Sequence, residues 1–585
     1  MSTAPTPITT GGLRPADPEN DLLRVENLQV GFGEKRNVTE IVHGVSFSLA
    51  PGECLAIVGE SGSGKSVTAR TLVGLTGGSS HVSADRLEFG GRDLLSFKDR
   101  DWRGLRGKDI GFILQDALVS LDQLRPVGKE IDEALRLHDW GTKKEREERV
   151  IELMELVGIP EPAVRAKQRP YELSGGLRQR ALIASAIAMD PQLIIADEPT
   201  TALDMTVQAQ VLEQLQQAKA RGKALILISH DLAVVSQLAD TVAVMFDGDI
   251  LEYAPAGQLF SRPENAYTQR LIEAIPSADS RGARLSPVVR SHSLGEARKY
   301  ETTDAPVLKA ERLLKKFRGP DGVDRTVVND VSFELKQGET LGIVGESGSG
   351  KTTTARLALA LLEVDGGGVT LAGEEWSGLP ERERRKRRND ISVIYQDPLS
   401  SFDPRWTVEQ IMLDALGEGY DKKAARRVRI AELLEMVGLE PEHLRRRPLQ
   451  LSGGQRQRVA IARALGPQPR VIVCDEPVSA LDVSIQAQVL DLLADLQQEL
   501  NVSYLFISHD LGVIHHISDR VLVMSDGKVV EFGDADDVLL RPHHPYTQKL
   551  VASLPVLERP KPTGPRPFGR PPRAAGPEFT EELAA

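Results

Sequence analysis

The chain has 585 residues, of which 41% are hydrophobic and 27% charged, an ordinary globular balance that predicts about two to four folded domains. Its 84 acidic residues outnumber its 72 Lys and Arg, and the net charge of −12 disfavours a broad nucleic-acid-binding face. Two isolated cysteines, Cys54 and Cys474, exclude a zinc site or an iron–sulfur cluster held by this chain alone, and we expect them to be small buried hydrophobes.

The N-terminal residues 1–20 are rich in Thr, Pro and Gly and are predicted to be disordered. They lack the basic-then-apolar pattern of a secretory signal. No apolar run in the sequence approaches the ~18–20 residues that a membrane-spanning helix needs. We therefore expect a soluble or peripheral cytoplasmic protein, whose first folded domain covers residues 21–276.

The first chemical motif is GESGSGKS, which follows the apolar strand ECLAIVG and enters a helix. This is the GxxxxGK[ST] pattern of a phosphate-binding loop, in which glycines let backbone N–H groups surround phosphates. The lysine reaches the phosphates and the last hydroxyl is placed to ligate Mg²⁺. Because many unrelated enzymes share the loop, it indicates only a nucleoside triphosphate. Its residues are Gly59, Glu60, Ser61, Gly62, Ser63, Gly64, Lys65 and Ser66.

Two further motifs follow along the chain. LSGGLRQR offers a hydroxyl and unobstructed backbone N–H groups at a helix start, from Ser174, Gly175 and Gly176, although such a segment alone is an ordinary helix cap. Asp197 and Glu198 end the apolar run QLIIADE, where Asp197 can hold Mg²⁺ and Glu198 can deprotonate an attacking water. Continuous apolar strands of this kind favour an α/β sheet covered on both faces, with ligands at the strands' carboxyl ends.

The second half of the chain repeats these landmarks in the same order and at nearly constant separation, which indicates a duplicated domain. Residues 277–305 are polar and are predicted to be a linker, 306–556 the second domain, and the Pro-rich 557–585 a disordered tail. The repeated acidic pair is Asp475 and Glu476. The repeated phosphate-loop and SGG residues are Gly345, Glu346, Ser347, Gly348, Ser349, Gly350, Lys351, Thr352, Ser452, Gly453, Gly454 and Gln455.

Phosphate loop, signature, acidic strand, ALD loop and a final histidine in this order resemble the ATP-binding-cassette family over roughly residues 21–555. The resemblance implies two tandem P-loop NTPase domains, each with a RecA-like α/β core, an antiparallel β subdomain and an α-helical signature subdomain. It also implies an ATPase that uses ATP and Mg²⁺, with two cassettes closing head-to-tail so that each phosphate loop faces the other half's signature. Leu177 stands where the second signature has Gln455, and we expect both sites to hydrolyse ATP, if unequally.

The resemblance assigns roles to further residues. Gln115 and Gln396 are similar to the glutamine that contacts Mg²⁺, beside Ser66, Asp197, Thr352 and Asp475. His230 and His509 resemble the switch histidine, and with Glu198 and Glu476 complete the catalytic set. Phe32 and Phe317 resemble the aromatic that stacks on adenine, but the alternation of Leu28, Val30 and Phe32 fits a buried strand face equally well.

The segments PENAYTQRLIEAIPS and PHHPYTQKLVASLPV resemble the peptide and nickel importer branch of the family. That branch implies two membrane permease subunits, an extracytoplasmic binding protein and a peripheral position on the cytoplasmic face of a prokaryotic membrane. Peptides are the favoured cargo, with glutathione or nickel as alternatives. Because no cysteine follows either segment, an iron–sulfur cluster is not inferred.

Other interpretations of the protein's function remain open from the sequence. A soluble twin-cassette protein acting on ribosomes or DNA has a similar layout, but the linker here has no sustained helical periodicity and no zinc-binding cysteines are inserted. A non-hydrolysing structural cassette conflicts with two complete Lys–Asp–Glu–His sets. The charge run ERERRKRRND at 381–390 could suggest nucleic acid or anionic lipid, but its interleaved acids favour a solvated helix, and no nucleic-acid partner is expected.

Overall fold

The computed structural model describes residues 20–34, 37–114, 120–200, 205–277, 280–287, 305–319, 322–416 and 423–553. The chain divides into two compact units, with the boundary between Ile272 and Glu273. These are the first unit and the second unit. Over the described ranges, none of the helices combines the length and the apolar character that crossing a bilayer requires.

The elements of the first unit alternate between strands and helices. Its strands are β1 (Leu23–Glu34), β2 (Asn37–Leu49), β3 (Cys54–Gly59), β4 (Ser80–Ser83), β5 (Arg86–Phe89), β6 (Arg92–Asp93), β7 (Ile110–Ile113), β8 (Leu193–Asp197), β9 (Ala224–Ile228), β10 (Thr241–Phe246) and β11 (Asp249–Pro255). Its helices are α1 (Lys65–Thr71), α2 (Asp99–Leu105), α3 (Val127–Leu137), α4 (Lys143–Leu156), α5 (Pro162–Arg165), α6 (Gly175–Ala186), α7 (Met205–Ala220), α8 (Leu232–Leu238), α9 (Ala256–Ser261) and α10 (Ala266–Glu273).

Two sheets organise the first unit. The six-stranded sheet has the order β11-β10-β3-β9-β8-β7 and is parallel except for β11 at its edge. The other sheet is antiparallel, with the order β2-β1-β5-β6 and β4 paired to β1. β3, β8 and β9 are buried along their whole length, as expected for strands covered on both faces. Helices α3 to α6 lie in the chain between β7 and β8 and form the helical subdomain that carries the signature.

The second unit repeats this plan. Its strands are β12 (Pro306–Arg318), β13 (Asp324–Lys336), β14 (Thr340–Val344), β15 (Gly366–Leu371), β16 (Glu374–Glu375), β17 (Ile391–Ile394), β18 (Val471–Asp475), β19 (Ser503–Ile507), β20 (Arg520–Ser525) and β21 (Lys528–Asp534). Its helices are α11 (Lys351–Ala358), α12 (Glu381–Arg384), α13 (Val408–Leu416), α14 (Lys423–Met436), α15 (Gly453–Leu465), α16 (Val483–Leu500), α17 (Leu511–Ile517), α18 (Ala535–Leu540) and α19 (Pro545–Ala552).

The sheet orders of the second unit are β17-β18-β19-β14-β20-β21 and β13-β12-β15-β16. The predicted fold class is therefore confirmed: each unit has a parallel α/β core, an antiparallel subdomain and a helical signature subdomain. Each core joins side chains of both sheets into one apolar cluster. The prediction for the cysteines is also confirmed, because Cys54 and Cys474 are fully buried and burial raises the pKa of the Cys54 thiol to about 12.

The charge run at 381–390 is only in part the solvated helix that its sequence predicts. The α-helix stops at Arg384, and residues 385–390 form a 3₁₀ turn. Arg387 and Arg388 place their guanidinium groups 5.9 and 5.1 Å from the ring centroid of the fully buried Trp376. Both also donate hydrogen bonds to backbone carbonyl oxygens, so they pack against the structure and not into solvent.

Candidate functional site

The chemically important side chains of each unit gather at the carboxyl ends of the parallel strands. In the first unit β8 and β9 pair in register, with Asp197 beside Ile228, so Glu198 and His230 follow neighbouring strand ends. In the second unit Asp475 pairs with Ile507 in the same way. Ligand sites of open α/β sheets lie at this edge.

Glycines shape both phosphate loops. Gly59, Gly62 and Gly64 have φ angles of 149°, 84° and 100°, a region that side chains other than glycine rarely enter. The corresponding angles in the second unit are 149°, 83° and 100°. A Cβ at Gly59 would also lie 2.1 Å from the carbonyl oxygen of Met245. The loops therefore keep the concave backbone that binds phosphate through N–H groups.

The two loop lysines are buried within their own loops. Lys65 Nζ donates to the carbonyl oxygens of Gly59 at 2.8 Å and Glu60 at 2.7 Å. Lys351 Nζ makes the equivalent bonds at 2.7 and 2.8 Å. Both ammonium groups are thus held at the loop in which the sequence predicts phosphate binding.

A hydroxyl and a carboxylate meet beside each loop. Ser66 Oγ donates to Asp197 Oδ1 at 2.9 Å, and Thr352 Oγ1 donates to Asp475 Oδ1 at 3.3 Å. Burial raises the pKa of both carboxyls, and the hydroxyl hydrogen bonds oppose this only in part. Asp197 Oδ2 is buried without a hydrogen-bond partner among the described residues. A carboxylate oxygen of this kind, next to a hydroxyl, fits the oxygen ligands that Mg²⁺ prefers.

The glutamate after each Asp sits in a strained backbone conformation. Glu198 and Glu476 both have φ of 50°, in the left-handed region that costs a non-glycine residue about 1 kcal/mol or more. In each unit this turn aims the carboxylate at the histidine of the next strand. His230 Nδ1 lies 3.4 Å from Glu198 Oε2, and His509 Nδ1 lies 3.2 Å from Glu476 Oε2.

The second unit adds a glutamine to this pair. Gln396 Nε2 donates to Glu476 Oε2 at 2.8 Å. Burial alone would raise the pKa of Glu476, but the hydrogen bond and charge of His509 outweigh it and lower the pKa. Burial would lower the pKa of His509, and the same pairing raises it instead. The carboxylate is therefore kept ionised and ready to accept a proton. Gln115, its predicted counterpart, lies outside the described residues.

The signature serines begin the helices α6 and α15. Ser174 Oγ accepts from Leu177 N at 3.4 Å, and Ser452 Oγ accepts from Gln455 N at 3.2 Å. In the second unit Gln455 Oε1 also accepts from Ser452 N at 3.0 Å, which completes a capping box. The first unit lacks this second bond because Leu177 has no acceptor there. Both serines and the first glycine after each, Gly175 and Gly453, are exposed, whereas Gly176 is half-buried and Gly454 is buried.

His443 also holds the side chain of Gln455 in the second signature segment. Its Nε2 lies 3.1 Å from Gln455 Nε2, and its Nδ1 lies 3.0 Å from the carbonyl oxygen of Glu440. Since the amide nitrogen can only donate, His443 accepts at Nε2 and donates from Nδ1. No sequence pattern pointed to this histidine.

The two predicted adenine-stacking aromatics differ in environment. Phe32 is half-buried and packs against the core of the first unit, the alternative that its strand pattern allows. Phe317 is 41% exposed, and Lys315 Nζ lies 5.7 Å from its ring centroid. The ring at this position is therefore more exposed in the second unit than in the first.

Two tyrosines at the phosphate loops were missed by the sequence analysis. Glu60 N donates to Tyr267 Oη at 3.3 Å, and Glu346 N donates to Tyr546 Oη at 3.0 Å. Both tyrosines belong to the AYT and PYT segments near the end of each unit, about two hundred residues from the loop. Their repetition at equivalent places was the one available signal.

The arrangement can perform one kind of chemistry. A glycine-shaped loop with a buried lysine can hold a polyphosphate, a hydroxyl–carboxylate pair can hold a divalent cation, and a glutamate beside a histidine can deprotonate a water. Each unit has all of these groups. The geometry therefore supports hydrolysis of a nucleoside triphosphate in both units.

Comparison with known families gives two matches, each found twice. The family model described as "ABC transporter" matches residues 42–201 and 328–479. The model described as "Oligopeptide/dipeptide transporter, C-terminal region" matches residues 251–296 and 530–578. The second model therefore includes the segments that contain the two tyrosines.

The chain is similar to curated proteins over nearly its whole length. The glutathione import ATP-binding protein GsiA of Pectobacterium atrosepticum is 43% identical over 564 residues, covering 92% of this chain and 90% of that protein. GsiA of Shigella dysenteriae serotype 1 is 42% identical over 565 residues, with the same coverage of 92% and 90%. Among solved structures, a dimeric ATP-binding cassette bound to ADP and Pi is 30% identical and covers 39% of this chain and 98% of its own, with a TM-score of 0.37.

Proposed function

Because the chain belongs to the ABC transporter family, we propose that it hydrolyses ATP in both of its units to drive the import of short peptides. Its type of activity is that of an ABC import ATPase with two fused ATP-binding units.

The observation that carries the proposal is the complete catalytic set of each unit. Glu198 and Glu476 lie at 3.4 and 3.2 Å from the imidazoles of His230 and His509. A carboxylate beside a histidine can take a proton from water, and a positioned base of this kind contributes a rate factor of about 10² to 10⁴. Loop N–H groups and lysines bind the phosphates, and stabilise the charge that develops on them.

Ser66 with Asp197, and Thr352 with Asp475, would hold Mg²⁺ in the two units. The unpartnered buried Oδ2 of Asp197 supports this assignment. When bound, Mg²⁺ would neutralise phosphate charge. Gln396, through its bond to Glu476, would orient the carboxylate in the second unit.

Short peptides are the proposed cargo, with glutathione as the first to test. Two copies of the oligopeptide/dipeptide C-terminal region support peptides, and the glutathione import proteins at 43% and 42% identity support a thiol tripeptide. Both lines of support therefore point to a small peptide as the cargo. Nickel, the other cargo of the branch that the sequence resembles, has no such support.

Membrane permease subunits are the proposed partners, together with an extracytoplasmic binding protein, at the cytoplasmic face of the membrane. The helical subdomains expose apolar side chains that a permease segment could cover. In the first unit these are Leu124, Leu137, Val164 and Tyr171, and in the second Val428 and Leu449.

The cargo is tested by uptake in cells that lack the gene. We expect uptake of labelled glutathione or of labelled di- and tripeptides to fall, to return with the wild-type gene, and to stay low with the Lys65→Ala, Lys351→Ala double variant. Loss of nickel uptake with unchanged peptide uptake would contradict the peptide proposal. Co-purification with ribosomes or DNA, and not with membrane proteins, would contradict the transport role.

A further inference from the structure

Residues 280–287, named the strap here, lie in the part of the sequence predicted to be a linker, yet they pack on the second unit. Arg284 forms an ion pair with Asp495 of α16. Arg281 Nη1 lies 2.6 Å from Asp536 Oδ1 at the start of α18. Two strap cations therefore meet two carboxylates of separate helices.

Backbone groups of the strap extend this contact. Leu285 N and Ser286 N donate to the two oxygens of Asp491 at 3.1 and 2.9 Å. Leu285 is 2% exposed and Ser286 is 4% exposed. A solvated linker would leave its backbone in water, whereas this one satisfies a buried carboxylate.

The strap also reaches α17. Ser280 Oγ lies 3.0 Å from His516 Nδ1, and Arg281 Nη2 donates at 3.1 Å to the carbonyl oxygen of Ser518, which follows the helix. A Cβ added at Gly512 would lie 2.9 Å from the carbonyl oxygen of Pro276, so the chain just before the strap passes directly over the first turn of α17. Three helices, α16, α17 and α18, are thus joined by one short segment.

The receiving surface is particular to the second unit. The sequence positions in the first unit that correspond to Asp495, Asp536 and Gly512 hold Gln217, Gly257 and Ala233. The counterpart of Asp491 is Glu213, which is exposed. Although the two units share their fold, only the second has Asp495 and Asp536 to pair with the strap's arginines and Gly512 to admit the close approach of Pro276.

Two of the three helices begin at functional positions. α16 starts immediately after Asp482, the end of the ALD loop. α17 starts two residues after His509, which contacts Glu476. A segment that fixes both helices also fixes the loop and the histidine that precede them.

We propose that the strap is a positioning element of the second unit, which holds α16 and α17 so that the ALD loop and His509 are in place for hydrolysis. Arg284, Arg281 and Asp491 are its positioning residues. The chain leaving the first unit thereby completes the hydrolytic machinery of the second. This role rests on the proposed ATPase function for its kinetic part, and on the packing alone for its structural part.

The test uses the full-length chain with the variants Arg284→Asp, Asp495→Arg, both together, and Gly512→Ala. The matched control is Arg541→Asp, which removes an exposed ion pair with Asp537 in the same unit. Hydrogen exchange is measured on α16 and α17. ATP turnover is measured in the Glu198→Gln background, where Glu476 is the remaining base.

We expect about tenfold faster exchange in α17 and in α16 for Arg284→Asp and Gly512→Ala. In the Glu198→Gln background kcat should fall about threefold or more, while KM for ATP changes by less than about twofold, because the phosphate loop is not touched. The charge-swapped double variant should recover most of both losses, which a general loss of stability would not allow. Arg541→Asp should change neither.

Unchanged exchange in both Arg284→Asp and Gly512→Ala would overturn the proposal, and so would faster exchange with unchanged kcat. If Arg284→Asp unfolds the whole second unit, Gly512→Ala is judged by the same criteria. Absence of ATP turnover in the wild-type chain would instead contradict the proposed function. The exchange measurement would still decide whether the strap holds the helices.

Discussion

Tyr267 and Tyr546 place their hydroxyl oxygens at the second residue of the two phosphate loops. Each accepts a hydrogen bond from a backbone N–H, at 3.3 and 3.0 Å. The N–H groups of such a loop must keep one orientation to bind phosphate. Each hydroxyl therefore fixes a part of the loop that the glycines leave free to rotate.

We expect Tyr546→Phe and Tyr267→Phe to weaken ATP binding by about fivefold each, because one hydrogen bond contributes about 1 kcal/mol. The turnover number should change less, since the catalytic glutamates are not touched. Equilibrium binding of a labelled ATP analogue measures the effect. Tyr171→Phe is the control, because Tyr171 is exposed and its hydroxyl contacts Arg169 at the surface. Equal losses in all three variants would contradict a role at the loop.

Asp491 gives the second unit a pH dependence. Burial raises the pKa of this carboxyl from 3.8 to about 6, in spite of the two N–H donors of the strap and the charge of Arg284, while Asp495 adds to the rise. The folded unit then binds more protons than the unfolded chain between about pH 4 and 6, so its stability decreases as the pH rises through this window. The shift corresponds to about 3 kcal/mol.

Asp491→Asn should remove this pH-dependent loss of stability, because the amide of Asn stays neutral over the whole pH range. The unfolding free energy of the variant minus that of the wild type should rise by up to about 3 kcal/mol from pH 4 to pH 7. This rise adds to a loss that does not depend on pH, because the NH2 group of Asn cannot accept from one of the two strap N–H groups. Urea unfolding followed by pulsed hydrogen exchange of α16 reports on this unit. Asp526→Asn, in an exposed turn whose φ of 48° suits Asn, is the control. Parallel pH profiles for the wild type and Asp491→Asn would contradict the assignment.

At the scale of elements, the signature helices pack tightly on the helices that follow the ALD loops. A Cβ on Gly454 would lie 2.6 Å from Ile485 Cγ2, and one on Gly176 would lie 3.1 Å from Val207 Cγ1. A Cβ on Gly453 would be 3.8 Å from its nearest neighbour. The second signature glycine therefore serves packing in addition to any contact with phosphate.

Gly454→Ala should destabilise the second unit by about 1–3 kcal/mol through overpacking. Gly176→Ala should destabilise the first unit less, because its Cβ contact is longer. Gly453→Ala is the matched control, and should leave the unfolding midpoint almost unchanged. The urea concentrations at the unfolding midpoints measure the order of destabilisation among the three variants. Equal shifts for Gly453→Ala and Gly454→Ala would show that packing is not the cause.

The strands of the parallel sheets, and the functional residues at their carboxyl ends, could be predicted from local sequence patterns. ECLAIVG and QLIIADE became β3 and β8 because continuous apolar runs leave no exposed face, and the polar residue that ends such a run must lie at the sheet edge. The loop glycines could likewise be predicted, since their spacing reflects the backbone that phosphate requires. Each of these features is set by residues close together in sequence.

The features that sequence did not reveal depend on distant partners. The strap looks like a polar linker, and its burial depends on Asp491 and Asp495, about two hundred residues away. The same holds for Tyr267 at Glu60. Arg388 of the charge run packs on Trp376, which is nearer in sequence but lies outside the run. A composition that predicts solvation is overridden wherever a complementary surface lies elsewhere in the fold.

At the scale of the whole molecule, two copies of one fold have acquired different details. The second unit has Gln455 with a capping box, where the first has Leu177. It also has the strap and its carboxylates. Both units nevertheless keep the lysine, the acidic pair and the histidine at similar distances. We therefore expect two active sites with unequal turnover.

Replacing one catalytic glutamate at a time tests this expectation. Glu198→Gln and Glu476→Gln keep the side-chain volume and remove the base, which should slow the altered site by about 10²-fold or more. If the sites act independently, each variant retains the turnover of the other unit, and the two residual rates add up to the wild-type rate. If they are coupled, both residual rates fall below that. Glu213→Gln, an exposed change in the first unit, is the control. Steady-state ATP turnover decides, and a wild-type rate retained by either glutamine variant would mean that only the other unit hydrolyses ATP.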